Sequence, residues 1–233
     1  MKSASRSRNA RIIFITGTDT GAGKTLLTAL LLQHLRESGI HALAMKPFCS
    51  GGMADVRLLS AIQEHELNER ELNPFYFPEP IAPLVSARKH GRKIRLKEAV
   101  EAIQRVAKRC DCLIVEGSGG LRVPLGEGFD VLKLIETIDC EVFVATRNRL
   151  GVINHTRMTM DGLWQIGVKK VKIILMETGK KDASTGTNEK ILKEFFGKKS
   201  VFSLGYLGKN ASRKQVVLDT PKKIKKTLAG IIG

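Results

Sequence analysis

The residues best suited to chemistry lie in a glycine-rich loop near the start of the chain, residues 17–25 (GTDTGAGKT). Glycines allow backbone N–H groups to turn towards phosphate oxygens, and a helix that starts at such a loop adds the positive end of its dipole. Lys24 supplies a cation for the terminal phosphates, and Thr25 supplies a hydroxyl ligand for Mg²⁺. The loop therefore predicts a site for a nucleoside triphosphate. Its predicted cofactor-binding residues are Gly21, Ala22, Gly23, Lys24, Thr25 and Leu26.

Polar and glycine-rich segments also follow other apolar runs of the chain. Lys46 begins the segment KPFCSGG, Asp55 comes shortly after it, and Glu116 begins the segment EGSGG. Because ligands bind at the carboxyl ends of the strands in a parallel sheet, we expect these residues to meet the glycine-rich loop. Two lysines at this edge, Lys24 and Lys46, would supply positive charge for the phosphates of a triphosphate.

The same edge of the predicted sheet offers oxygen ligands for a metal ion. Mg²⁺ prefers an octahedron of oxygens and retains several waters, so one hydroxyl and two carboxylates suit it. The predicted metal ligands are Thr25, Asp55 and Glu116. Asp55 would also suit a helix start, and Glu116 an exposed strand end, but the glycines after Glu116 allow backbone to approach a phosphate closely. The predicted cofactor-binding residues here are Asp55, Glu116, Gly117, Ser118 and Gly119.

Short apolar runs alternate with helical periodicity, which predicts an α/β fold with a mostly parallel sheet and helices on both faces. The predicted strands are residues 11–16, 40–45, 112–116, 141–146, 171–176 and 201–204. The predicted helices are residues 26–38, 55–66, 96–108, 130–138, 152–166, 188–196 and 221–231. Pro221 follows Thr220, a pair typical of a capping residue and a first-turn proline. The longest irregular segment, residues 73–83, is of a kind that is often functional in compact domains.

The composition suits one sizeable domain. At 233 residues and 42% hydrophobic content the chain can bury a substantial core. We expect a single domain over residues 11–233, preceded by a flexible basic extension over residues 1–10. The four cysteines lack metal-ligand or redox spacing and are expected to be reduced thiols. The chain shows no long apolar run and no secretory signal, so we expect it to be soluble and cytoplasmic.

The formal net charge of +16 raises the question of polyanionic partners. Clusters such as Arg88-Lys89, Lys169-Lys170 and residues 222–226 could attract nucleic acid. These clusters are scattered over several predicted elements, fall at turns and helix ends, and lack interleaved aromatic residues. We therefore expect neither a nucleic acid nor a membrane partner.

Taken in order, these motifs resemble those of the dethiobiotin synthetase family. The resemblance covers about residues 12–160 and includes Asn-Pro-Phe at 73–75 and Glu-Pro at 79–80. Five residues rather than four separate Gly17 from Gly23, a spacing that is similar to that family's own. The resemblance implies a P-loop NTPase-like fold in a homodimer. It also implies ATP- and Mg²⁺-dependent closure of a cyclic urea from 7,8-diaminopelargonate and CO₂, in biotin biosynthesis.

The resemblance further implies roles for individual residues. In the family, one substrate amine captures CO₂ as a carbamate, ATP phosphorylates the carbamate, and the second amine displaces phosphate. Lys46 and Lys24 match the catalytic lysines at the carbamate and at the terminal phosphates. The helix start in LGVINH, residues 150–155, matches one that receives the distant substrate carboxylate across the dimer interface. The substrate-binding residues implied are Thr20, Ser50, Gly151, Val152 and Asn154.

The chain departs from the family pattern where the nucleobase is expected to bind. The family has an asparagine beyond the fifth strand that reads adenine, and Glu177 is nearest to that position here. An ionised glutamate can only accept hydrogen bonds, which favours guanine relative to adenine and leaves nucleoside triphosphates other than ATP open as cofactors. Gly205, Tyr206 and Leu207 replace a proline and an apolar residue that line the base pocket in the family.

Two other classes of protein carry related phosphate loops. A partition- or septum-placement-type ATPase, whose output is DNA or membrane binding, usually has a second lysine near the start of the loop. This chain has Thr18-Asp19-Thr20 there and no evident terminal amphipathic membrane helix. An amidotransferase of the cobyrinate type would need an additional glutaminase domain, for which the chain is too short.

Overall fold

A computed structural model describes residues 10–233. The expected N-terminal extension, residues 1–10, therefore lies outside the described residues except for Ala10. The strands are β1 (Arg11–Gly17), β2 (Ala42–Met45), β3 (Phe48–Ser50), β4 (Phe75–Phe77), β5 (Cys112–Glu116), β6 (Pro124–Gly126), β7 (Phe129–Asp130), β8 (Glu141–Arg147), β9 (Val171–Met176) and β10 (Val201–Leu204). The helices are α1 (Lys24–Glu37), α2 (Ala54–Ile62), α3 (Glu69–Leu72), α4 (Pro83–Lys89), α5 (Leu96–Ala107), α6 (Val131–Thr137), α7 (Val152–Gln165), α8 (Thr185–Phe196), α9 (Lys214–Lys223) and α10 (Lys225–Ile232).

Six strands form a parallel central sheet in the order β10-β9-β8-β1-β5-β2. The middle strand β1 pairs with β5 on one side and with β8 on the other. Its residues Ile13, Phe14 and Ile15 are buried, as apolar strands are when helices cover both faces of a parallel sheet. The α/β class and the mostly parallel sheet predicted from the sequence are confirmed.

Alternate residues of β8 point to opposite faces of the sheet. Thr146 meets α7, because Thr156 of that helix donates a hydrogen bond to its hydroxyl at 3.5 Å. Phe143 lies on the other face beside Lys172, whose Nζ donates to the carbonyl of Ile231 in α10 at 2.7 Å. Helix α1 packs against α2, α9 and α10, so this second face carries the helix that begins at the glycine-rich loop.

The amino-terminal edge of the sheet is tied together by the first residue of β1. Arg11 forms a bidentate ion pair with Glu141, with hydrogen bonds of 3.0 and 2.9 Å. The Nη2 atom of Arg11 also donates to the carbonyl of Ile232 at 2.6 Å. This contact fixes the end of α10 against the starts of β1 and β8.

The prediction for the last helix is wrong. Instead of starting at Pro221, helix α9 starts at Lys214 and holds Pro221 near its end, and α10 begins only at Lys225. Val217 and Thr220 are buried, because α9 packs along α1, and this packing extends the helix backwards from the proline. Pro221 lies inside α9, and the two helices are separated at Ile224.

Several short elements were not predicted from the sequence. Residues 73–83, expected to be irregular, contain β4, which pairs in parallel with β3. These two strands have three residues each, and their pairing joins segments that are distant in sequence, so no local pattern reveals it. Within residues 10–233, no helix is both long and apolar enough to cross a bilayer. The four cysteines are free thiols, as expected.

Candidate active site

The glycine-rich loop connects β1 to α1 through backbone conformations that favour glycine. Gly21 and Gly23 have φ values of 69° and 99°, and Gly23 is the residue before the first turn of α1. A Cβ atom on Gly17 would lie 3.1 Å from Nζ of Lys24 and 3.0 Å from the carbonyl oxygen of Asp19. The glycines thus leave room for backbone N–H groups and the lysine to surround a phosphate. This cradle, formed by residues 17–25, fits a nucleoside triphosphate.

Lys24 is folded back into this cradle. The residue is 7% exposed, and its Nζ donates to the carbonyl oxygens of Gly119 at 2.9 Å and Asp19 at 3.2 Å. Burial lowers its pKa to about 8, although the negative charge of Glu116 acts in the opposite direction. The two carbonyl contacts hold the ammonium group inside the glycine-rich loop.

Lys46, Asp55, Glu116 and Thr25 form one cluster at the ends of β2 and β5. The Lys46 ammonium donates to Oε1 of Glu116 at 2.8 Å and to the carboxylate of Asp55. Thr25 donates from Oγ1 to the same Glu116 oxygen at 2.7 Å. Burial opposes the charged form of Lys46, but Glu116 and Asp55 outweigh it, so the pKa of Lys46 lies above its ordinary value. Lys46 is therefore a permanent cation at neutral pH.

The cluster also fits a Mg²⁺ ion. Oε2 of Glu116 is buried and has no hydrogen-bond partner among the described residues, so it is free to bind a cation. The Thr25 hydroxyl and the Asp55 carboxylate lie around the same group. Residues 10–233 contain no cluster of three or more histidine, cysteine or acidic side chains that could enclose a metal. Water and phosphate oxygens would have to complete the octahedron, as is usual for Mg²⁺.

These groups open into a cavity of about 730 Å³. The structure brings most of the predicted site residues together in its wall. They are Thr20, Gly21, Gly23, Lys24, Thr25, Leu26, Lys46, Ser50, Asp55, Glu116, Gly117, Ser118 and Gly119. The Ser50 hydroxyl is buried without a hydrogen-bond partner in the described part of the chain, so it can serve a ligand.

Other predicted residues do not line the cavity. They are Ala22, Gly151, Val152, Asn154, Glu177, Gly205, Tyr206 and Leu207. Oε1 of Glu177 accepts hydrogen bonds from Asn148 at 2.7 Å and from Ser203 at 3.2 Å, so this carboxylate joins the ends of β8, β9 and β10. A bidentate fit of Glu177 to guanine needs both carboxylate oxygens, and one of them is already engaged. The base-reading role of Glu177 stays a prediction, in a weaker form.

Sequence reasoning missed part of the cavity wall. The missed residues are Phe48, Cys49, Gly52, residues 80–83, Val123, Gly208, Lys209, Ala211 and Ser212. Residues 80–83 belong to the irregular segment singled out from the sequence. A Cβ on Gly51, where φ is 90°, would lie 3.1 Å from Cβ of Pro80, so the segment packs directly on the loop after Ser50. The irregular segment was evident in the sequence, but no local sequence pattern showed which cavity it would cover.

The start of α7 is fixed by contacts to neighbouring loops. Gly151 precedes the helix with a φ of 91°, and the N–H of Val152 donates to the carbonyl of Arg149 at 3.1 Å. The N–H of Leu150 donates to Oδ2 of Asp182 at 2.8 Å. The first-turn N–H groups of Ile153 and Asn154 have no acceptor within the helix. Of the three predicted residues here, Asn154 alone presents an exposed side chain.

Comparison with known proteins finds several relatives that share one enzyme name. A protein-family profile described as an AAA domain matches residues 11–212. The chain is similar to the ATP-dependent dethiobiotin synthetase BioD of Bacillus licheniformis, with 40% identity over 70% of this chain and 71% of that protein. The protein of the same name from Methanococcus vannielii is 37% identical over 70% and 78%, respectively. That of Akkermansia muciniphila is 32% identical over 79% and 87%.

Solved structures share the fold at much lower sequence identity. A ParA family ATPase from Chlorobium tepidum superposes with a TM-score of 0.58 at 16% identity, over 94% of this chain and 96% of that one. A putative plasmid partition protein from Borrelia burgdorferi, bound to AMPPNP, gives a TM-score of 0.61 at 14% identity, over 96% and 98%. At this level of identity the likeness concerns the fold alone.

Proposed function

Because the chain belongs to the dethiobiotin synthetase family and carries an AAA-type domain, we propose that it closes the cyclic urea of dethiobiotin from 7,8-diaminopelargonate and CO₂, converting ATP to ADP and phosphate. One observation carries the proposal. Lys24 and Lys46, two buried cations, meet Thr25, Asp55 and Glu116 at one cavity. This arrangement can hold a triphosphate, a divalent cation and a second anion side by side.

The reaction has three steps. One amine of the substrate attacks CO₂, and the resulting carbamate loses a proton. A carbamate oxygen then attacks the terminal phosphorus of ATP, so that a carbamic-phosphoric anhydride forms and ADP leaves. The second amine attacks the carbonyl carbon of the anhydride, the ring closes and phosphate departs.

Lys46 stabilises negative charge on the carbamate and on the phosphoryl group during its transfer. Its ammonium group stays charged because two carboxylates surround it, and it lies between Glu116 and Asp55 beside the cavity. The carbamate and the transferred phosphoryl group both carry negative charge that this cation can stabilise. Lys24 holds the terminal phosphates in the cradle, and its carbonyl contacts to Gly119 and Asp19 keep it in place.

Mg²⁺, when bound, neutralises charge on the phosphates and orients them. Thr25, Asp55 and Glu116 are the residues that would hold it. Oε2 of Glu116, which has no hydrogen-bond partner among the described residues, gives the strongest support for that role, because a buried carboxylate oxygen without a partner destabilises the fold. Ser50 and Thr20 line the same cavity and would bind the diamine end of the substrate.

The proposed enzyme is a homodimer in which α7 of one protomer completes the cavity of its partner. Gly151, Val152 and Asn154 do not line the cavity of their own protomer. Leu150, just before α7, and Met158, in the middle of α7, are 79% and 66% exposed, so both apolar side chains are available for a contact between subunits. The free N–H groups at the start of α7 suit a carboxylate from the distant end of the substrate.

Sedimentation and activity of Leu150→Glu and Met158→Glu test the dimer. Both variants should become monomeric and lose affinity for the diamine, while nucleotide binding stays unchanged. Val85, an exposed apolar residue on α4, provides the matched control Val85→Glu. A wild-type protein that is monomeric and fully active at assay concentration would refute the shared site.

A phosphate-release assay tests the reaction itself. Release should depend on 7,8-diaminopelargonate and bicarbonate together, and mass spectrometry should identify dethiobiotin. DNA and anionic liposomes serve as comparison ligands, because partition and septum-placement proteins share the fold. Stimulation by DNA or liposomes without any response to the diamine would overturn the proposal.

A further inference from the structure

Arg147, the last residue of β8, lies against the glycine-rich loop. A Cβ atom on Gly21 would come within 3.3 Å of Nη2 of Arg147 and 3.6 Å of its Cζ. Arg147 is four residues beyond Phe143, so it points to the same face of the sheet, the face that carries α1. The guanidinium group therefore lies beside the loop, on the face of the sheet that carries α1.

The neighbouring strand supports this placement. Arg147 pairs in register with Met176 at the end of β9. The Cε atom of Met176 would lie 3.0 Å from a Cβ on Gly23. The last residues of two adjacent strands thus lie against two glycines of the loop. One of them contributes an apolar contact and the other a positive charge.

The charge of Arg147 is not used elsewhere in the described part of the chain. Arg147 is exposed and forms no ion pair or side-chain hydrogen bond there. Arg149, two residues on, instead approaches the Asp19 carboxylate at 3.9 Å. An arginine is charged at every relevant pH, and its planar array of N–H donors matches two phosphate oxygens at once. An unpaired guanidinium beside a phosphate cradle is placed to bind phosphate.

The topology indicates which phosphates are in reach. Strand β1 leads into the loop, with β5 on one side and β8 on the other. Glu116 ends β5, and Lys46 joins it there, so the metal ligands and the transferred phosphate belong to that side. Arg147 ends β8 on the opposite side. We propose that Arg147 binds the nucleotide through the phosphates that remain on ADP, and not through the phosphate that is transferred.

This inference rests on the proposed function only for the identity of the nucleotide, and it is tested by binding. Affinities of ATP and ADP would be measured calorimetrically for the wild type, Arg147→Gln and Arg147→Lys. Arg147→Gln should weaken both ATP and ADP by about 10-fold to 100-fold, since a hydrogen bond to a charged group is lost. Arg147→Lys should fall between the wild type and Arg147→Gln.

Arg149→Gln is the matched control, because Arg149 is 51% exposed and its charge faces Asp19. Its nucleotide affinities should stay within about twofold of the wild type, as is usual for exposed ion pairs. Thermal melts would show that the exposed substitutions leave the fold intact.

Wild-type affinity of Arg147→Gln for ATP and ADP would overturn the proposal. A loss confined to ATP would also overturn it, because it would place Arg147 at the transferred phosphate. Neither result would change the diamine-dependent phosphate release of the wild type. That release is the separate test of the proposed function.

Discussion

The ammonium nitrogen of Lys46 lies 2.8 Å from Oε1 of Glu116, a residue that is 1% exposed. A buried carboxylate without a counter-charge is strongly destabilising, so this lysine supports the fold as well as the chemistry. The same Glu116 oxygen accepts the hydroxyl of Thr25, which joins the phosphate loop to β5.

Lys46→Gln should therefore lower both turnover and stability. We expect turnover to fall by about 10²–10³, the usual effect of losing one preorganised charge contact. The free energy of unfolding should fall by about 3 kcal/mol, because Glu116 loses its cation. Denaturant melts and dethiobiotin formation measure the two effects. The double variant Lys46→Gln/Glu116→Gln should recover stability but not activity, and near-normal turnover by folded Lys46→Gln would remove the lysine from the mechanism.

Thr25→Val should raise the Mg²⁺ concentration needed for half-maximal turnover by at least about tenfold, because it removes one proposed ligand. Thr25→Ser keeps the hydroxyl and should resemble the wild type. Thr28→Val is the control: Thr28 is also in α1, but its hydroxyl donates to the carbonyl of Lys24 and Thr28 does not line the cavity. Equal Mg²⁺ requirements in all three variants would exclude Thr25 as a ligand.

Nucleotide affinity should decrease at alkaline pH through Lys24. Burial lowers the pKa of this lysine to about 8 in the empty site, and only its protonated form attracts phosphate. The apparent Kd for ATP should rise by up to about tenfold per pH unit above pH 8. Binding above pH 8 should be accompanied by proton uptake, which calorimetry in buffers of different ionisation enthalpy detects. A Kd that is flat to pH 9.5 would contradict this assignment.

Asp182→Ala should weaken diamine binding several-fold and leave nucleotide binding unchanged. Asp182 accepts the N–H of Leu150 and so positions the start of α7. Hydrogen bonds from the Ser184 hydroxyl and the Leu150 N–H lower the pKa of Asp182 to about 2, so the contact persists across the neutral range. Asp182→Asn retains an acceptor oxygen and should restore most of the affinity. An increased KM for the diamine with unchanged kcat is the expected signature, and an effect on kcat alone would argue against it.

Discrimination among nucleoside triphosphates should be modest. Glu177 can accept hydrogen bonds only, and Asn148 and Ser203 already occupy one of its oxygens. The remaining oxygen can accept one N–H from adenine, cytosine or guanine, so kcat/KM for ATP, GTP and CTP should lie within about tenfold of one another. Glu177→Asn should shift the preference towards ATP. Strict use of ATP by the wild type, unaltered by the substitution, would show that Glu177 does not read the base.

The central sheet could be predicted because its strands follow from local sequence patterns. The grouping of Lys24, Lys46 and Glu116 could be predicted from the rule that ligands bind at the carboxyl ends of parallel strands. Strands 112–116, 171–176 and 201–204 have the predicted bounds. Parallel strands end at one edge of the sheet, which brought Lys46 and Glu116 to the loop of Lys24.

What the sequence did not reveal depends on contacts between distant segments. The extent of α9 is set by its packing on α1 and not by Pro221. The pairing of β3 with β4 and the cover provided by residues 80–83 join loops that have no shared periodicity. The position of Arg147 on Gly21 depends on the strand register, which a one-residue shift would have reversed.

The bond from Arg11 to the carbonyl of Ile232 has a practical consequence for handling the protein. It brings residues 11 and 232 together at the start of the seven-residue strand β1, about 20 Å from the glycine-rich loop at the other end of that strand. A short peptide could join these two positions, so a circularly permuted chain opened at the exposed Lys180-Lys181 turn should still fold. Attachment to a surface or a fluorophore through either position would leave the cavity mouth facing the solvent.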